Sequence, residues 1–152
     1  MDAYVIVGNP NCRKSSILRS LTGCYNRSAR DIELATGGRM VLYARVSSLQ
    51  EESPATPSEF FSEVNAKATS AKVVAVAFCI WPFPNPVRPT QYPGPDDYLE
   101  FLRAKGWDFI ACVVLGQTPY RPLLPRVKHL PDVLIDPINV SAEKVRKHFG
   151  WR

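Results

Sequence analysis

Apolar positions along the chain fall into continuous runs and helical stripes, and the two alternate. Runs over 3–7, 73–80 and 109–115 suit strands covered on both faces, and the β-rich stretches 40–46 and 132–135 add two more. Between them, 15–22 reads as a helix stopped by Gly23. Phe60, Phe61, Val64 and Ala68 form an apolar stripe at helical spacing, with Thr56 or Ser58 as its cap. Asp96 to Gly106 has acids in its first turn, bases in its last and glycine as the stop, and Ser141 caps a closing helix through Val145 and Phe149. Two segments lack periodicity. Cys24 to Gly38 reads as a loop with at most a weak edge strand, and Arg121 to Pro131 as a basic, proline-broken loop. This alternation predicts one α/β domain over residues 1–152, a mostly parallel sheet with helices on both faces.

Composition narrows the class only a little. At 45% apolar and 22% charged residues the chain can bury a core and is not expected to be disordered. The net charge of +5 favours a polyanionic ligand. Nucleic acid is not expected, because charge is its sole support and no recognised module accompanies it. The longest apolar run, Val73 to Trp81, is too short to span a bilayer, and no signal segment is evident, so the expected location is the cytoplasm. Cys12, Cys24, Cys79 and Cys112 show no metal-ligand spacing and read as reduced thiols. Cys12, beside two cations and a helix start, could have a lowered pKa, although an inert loop cysteine is the preferred reading.

Candidate chemistry concentrates where the first run meets the first helix. A loop passing from strand to helix turns successive backbone N–H groups toward one point at the positive end of the helix dipole, and that point attracts phosphate. Gly8, Lys14 and Ser15 occupy three fixed places of the pattern Gly-x-x-x-x-Gly-Lys-Ser/Thr, and Arg13 stands where its second glycine would be. Gly8 would let the chain leave the strand sharply, Asn11, Cys12 and Ser16 would line the loop, and Lys14 would reach the outer phosphates. Arg13 fits sterically if its backbone is helical, and would then add a charge for bidentate phosphate contact. Cations in a first helical turn are unfavourable unless an anion is nearby.

The words Gly8-Asn9-Pro10-Asn11 and Lys14-Ser15-Ser16, with Leu21-Thr22-Gly23 at the helix end, resemble the first motif of small G domains, those of Era-like and ferrous-iron-transport GTPases above all. The resemblance covers residues 4–23. It implies a P-loop NTPase fold, a bound nucleoside di- or triphosphate, and Mg²⁺, present only with nucleotide, held by Ser15. Thr36 is the one threonine in the first-switch region able to stand for that family's Mg²⁺-binding threonine. The later motifs depart from the family. Val46 to Glu52 lacks Asp-x-x-Gly, so Gln50 reads as a surface glutamine rather than a catalytic one. Where Asn-Lys-x-Asp would read guanine, the chain has Gly116-Gln117-Thr118-Pro119-Tyr120, leaving Gln117 and Tyr120 as candidates on the base side.

The proline-rich segment 81–95 follows the central strand and would emerge beside the phosphate loop, with Trp81 and Arg88 as candidates on the substrate side. It could equally cap the sheet or dock a protein partner. Three functions follow: a nucleotide-binding P-loop protein with weak or absent hydrolysis; a pseudo-GTPase adaptor that binds a protein partner through 81–95 without nucleotide; and a small kinase whose Arg88, Arg121 or Arg126 clamps a transferring phosphoryl group. His129 has no catalytic partner in the sequence.

Overall fold

A computed structural model describes residues 1–152. Its six strands are β1 (Asp2–Gly8), β2 (Ser28–Glu33), β3 (Arg39–Arg45), β4 (Ala75–Ile80), β5 (Asp108–Leu115) and β6 (Val127–Leu130). They form one sheet in the order β2-β3-β4-β1-β5-β6, parallel throughout except for the antiparallel β2–β3 pair. The helices are α1 (Lys14–Thr22), α2 (Pro57–Ala71), α3 (Pro95–Ala104) and α4 (Ile138–Phe149). Alternate residues of β1 face opposite cores, as a strand's two-residue period requires. Tyr4 and Ile6 pack with Ile17, Leu18 and Leu21 of α1 and Val145 and Phe149 of α4. Ala3, Val5 and Val7 pack with Phe60 and Val64 of α2 and Tyr98, Leu99 and Leu102 of α3. The chain is therefore α/β, with helices on both faces of a mostly parallel sheet.

Central strands carry a continuous apolar signal because both faces are covered, and edge strands lose it. In β2 only Ile32 is buried and in β6 only Leu130, so their sequences read as loops. The expected strand at 132–135 does not form. Pro131 to Asp136 is instead a turn in which Asp132 O accepts from the amides of Ile135 (2.9 Å) and Asp136 (3.0 Å). Helix α4 begins earlier than expected, after Pro137, and Ser141 lies inside it, buried, rather than at its cap. At α2 the cap is Thr56: its hydroxyl accepts from Glu59 N, and the Glu59 carboxylate accepts from Thr56 N. No helix is long and apolar enough to cross a membrane.

The topology sets the site. The exit of β1 leads to α1 on one face, whereas the exit of neighbouring β4 leads to α3 on the other. Loops that diverge in this way open a crevice beyond the carboxyl ends of the strands. Thr36 is remote from it: β3 runs parallel to β1, so the β2–β3 turn carrying Thr36 lies at the opposite edge of the sheet. It cannot supply a metal ligand at the β1–α1 loop.

Candidate functional site

After Gly8 the chain turns through Asn9 to Arg13, with Cys12 N donating to Asn9 O at 3.3 Å. Gly8 needs no unusual torsion. A β-carbon there would overlap Cys12 Sγ, so glycine is required for space. Asn11 (φ 62°) and Arg13 (φ 69°) both take the left-handed conformation, uncommon for residues with a side chain. Arg13 thus holds a glycine-like backbone rather than the helical one under which it was expected to fit. It is the N-cap of α1 but makes no side-chain cap, and the first turn holds no acid. The Arg13 guanidinium points away, donating to the carbonyls of Asp136 (2.9 Å) and Val133 (3.3 Å).

Lys14 is nearly buried, at 5% exposure, and folds back over the loop. Its ammonium donates to Asn9 O at 2.7 Å and lies 3.8 Å from Cys12 Sγ. Ser15 Oγ donates to Val46 O at 3.1 Å, which ties α1 to the exit of β3. Burial pushes the Cys12 thiol up from its ordinary pKa, and the Lys14 ammonium offsets this only in part. The thiol is therefore protonated near neutrality and unreactive, not activated. Asn11, Cys12, Arg13, Lys14, Ser15 and Ser16 line one cleft of roughly 190 Å³, and the seventh wall residue is Glu51. The sequence reading missed Glu51. The available signal was its place just after β3, in a loop that emerges on the same edge as the β1–α1 loop.

Comparison with protein-family models, with curated proteins and with solved structures gives no match for this chain.

The residues considered for a base or substrate do not line this cleft. Tyr120 donates its hydroxyl to Asp96 Oδ1 at 2.6 Å, and burial followed by that carboxylate raises its pKa. Gln117 Nε2 donates to Pro131 O at 3.3 Å. Trp81 is buried, with its ring 5.6 Å from that of Phe83 and its indole N–H unpaired. Arg88 is exposed at the tip of the proline-rich loop. Arg121 donates to the carbonyls of Thr118 and Tyr120, and Arg126 to that of His148.

Gln50 corrects the sequence reading most sharply, for it is fully buried rather than on the surface. Its carboxamide oxygen accepts from Trp81 N at 2.9 Å, and its nitrogen reaches the carbonyls of Pro93 (3.2 Å), Trp81 and Phe83 (both 3.4 Å). Asn85 Nδ2 donates to Gln50 O at 2.8 Å. The proline-rich loop is thus pinned by the residue adjacent to Glu51, a wall of the cleft. Another cleft, of roughly 220 Å³ beside α3, is lined by Asp96, Leu99, Glu100, Arg103 and Leu123 and contains no phosphate-loop residue.

Proposed function

We propose that this chain is a P-loop protein that binds a nucleoside di- or triphosphate through Gly8 to Ser16, with weak or absent hydrolysis. The observation that carries the reading is Lys14, a nearly buried cation with only a carbonyl and a thiol for partners, on the wall of an open cleft. A buried charge without a counter-charge is costly, and a phosphate in the cleft would supply one. The uncapped amides of α1 add donors directed at the same point. The left-handed Arg13 offers its own amide there in the manner of the glycine it replaces. Weak hydrolysis follows from Gln50, whose side chain is committed to the 81–93 backbone and is not free to orient a water.

Magnesium suits the donor set. It usually retains several waters and takes one or two protein oxygens beside the phosphates. Ser15 Oγ and the Glu51 carboxylate are the residues of the cleft that would hold it, with Ser15 giving up its bond to Val46 O. Bound there, it would neutralise phosphate charge. Four unpaired, buried cysteines suit the reducing cytoplasm in which we place the chain.

A thermal-shift panel with GTP, GDP, ATP and ADP, each with and without Mg²⁺, tests the reading beside Lys14→Ala. Ligand at about a hundred times its dissociation constant adds about 2.7 kcal/mol of stability. A shift that is lost in Lys14→Ala supports nucleotide binding and names the base, and no shift with any nucleotide overturns it. A second reading then takes over, a nucleotide-free adaptor. It is favoured by the anchored proline-rich loop, whose tip presents Val87, 83% exposed, and Arg88.

A further inference from the structure

The phosphate loop is tied to a distant part of the chain through one side chain. Arg13 reaches residues 120 and 123 positions away, bonding Val133 O and Asp136 O, and so closes the turn between β6 and α4. That turn and the start of α4 carry Leu134 (57% exposed), Ile135 (82%), Ile138 (38%) and Val140 (39%), four large apolar side chains within seven positions. The backbone from which Arg13 reaches is held in the left-handed region, which costs on the order of 1 kcal/mol or more for a residue with a β-carbon and persists only where the surroundings enforce it.

We infer that Arg13 is a coupling arm: it holds the 132–136 turn while the cleft is empty and leaves it for the phosphates when the cleft is filled. The inference rests on the nucleotide reading and adds its regulation. Arg13 belongs to the cleft wall while its guanidinium is bonded at the turn, so the one residue adjoins both places. A guanidinium makes stronger, bidentate, charge-assisted bonds to phosphate than to neutral carbonyls. Once Arg13 departs, the turn keeps the amides of Ile135 and Asp136 to Asp132 O, the Lys144–Asp136 ion pair at 3.0 Å, the Gln117 bond to Pro131 O and the buried Val133 side chain, but no tie to the β1–α1 loop. Occupancy of the cleft then loosens the segment that displays Leu134 and Ile135, converting a ligand signal into a change of apolar surface.

Amide hydrogen exchange with GTP and with ATP, each with Mg²⁺, reads both ends of the coupling. The expected result is slower exchange over 11–18 together with exchange at Ile135 and Asp136 faster by about tenfold, the effect of losing bonds from a charged donor. Slower exchange over 11–18 with no change at Ile135 and Asp136 overturns the coupling and leaves nucleotide binding intact. No change at either end overturns both. Arg13→Gly, which relieves the left-handed strain and so should fold, is expected to show fast exchange at Ile135 and Asp136 without nucleotide, no further change there on adding it, and protection over 11–18 that needs more nucleotide than the parent because the guanidinium's phosphate bonds are gone. Wild-type exchange at the turn in Arg13→Gly would also overturn the coupling. Arg13→Lys keeps the charge but not the fork, and is expected to lie between the two.

Discussion

The carboxamide oxygen of Gln50 accepts a hydrogen bond from the backbone amide of Trp81 at 2.9 Å, joining the exit of β3 to the exit of β4. Both residues are buried, so the bond has no water to replace it. Gln50→Ala would leave the Trp81 amide without its acceptor and the Pro93 carbonyl without its donor. Each orphaned buried group costs about 1–3 kcal/mol, so a total loss of roughly 2–6 kcal/mol is expected in urea unfolding. Amide exchange over 81–93 should quicken in the same variant. A surface glutamine would show neither effect.

Gly8 and Cys12 form a second coupled pair. Adding a methyl group at Gly8 forces Cys12 Sγ from its place, and overpacking of this kind typically costs about 1–3 kcal/mol. Cys12→Ala removes the obstructing atom, after which the nearest neighbours of the new methyl are Leu115 Cβ and O, both at 3.4 Å. Gly8→Ala with Cys12→Ala is therefore expected to be more stable than the sum of the two single changes predicts. Denaturant midpoints of the four proteins give the coupling, and strict additivity would refute it.

What the sequence made legible divides along the range of the contacts. The β1–α1 unit was readable because strand, loop and helix are consecutive and each has a local signature. β2 and β6 were hidden because an edge strand with one buried residue has no two-residue pattern to show. Gln50 and Arg13 were legible as residue types but not as roles. Their partners lie 31 or more positions away and were brought close by the order of the strands. Glu51 was hidden for the same reason: its importance is its place on the shared carboxyl edge, which no local spacing encodes.

Arg45, at the end of β3, is fully buried and donates to both oxygens of Glu63, at 2.9 and 3.2 Å. The two ends of this pair are not equivalent. Glu63 keeps Arg27 at 3.3 Å if Arg45 is lost, whereas Arg45 without Glu63 retains only Ser53 O. Glu63→Ala strands a buried charge and is expected to cost about 3–5 kcal/mol. Arg45→Met fills similar space without a charge and should cost clearly less. Urea titrations of the two variants decide the matter, and equal losses would contradict the asymmetry.

Alkaline pH should destabilise the fold. Burial pushes the thiols of Cys79 and Cys112 from an ordinary value of 9.0 up to about 12. Between these values the unfolded chain has released protons that the folded chain still holds, so stability is full below about pH 9 and falls as pH rises toward 12. Each thiol contributes a slope of up to about 1.4 kcal/mol per pH unit in that window. The raised hydroxyls of buried Tyr43 and Tyr98 and of half-buried Tyr120 act in the same direction. Unfolding free energies measured from pH 8.5 to 11 should fall less steeply in Cys79→Ala than in the parent, and an unchanged slope would remove Cys79 from the account.

Lys14 gives opposite signs for stability and binding, which separates a ligand-binding residue from a structural one. Its ammonium is nearly buried with Asn9 O and Cys12 Sγ as its partners, and it forms no ion pair. Replacing such a group with an apolar chain of similar length removes the desolvation cost and keeps the packing. Lys14→Met is therefore expected to melt at or above the parent without nucleotide, and to lose the stabilisation that nucleotide gives the parent. A structural lysine would behave otherwise, since its replacement would lower the melting temperature with or without ligand. Paired melting curves of the two proteins, each with and without GTP or ATP and Mg²⁺, distinguish the cases by the loss of the nucleotide-dependent shift.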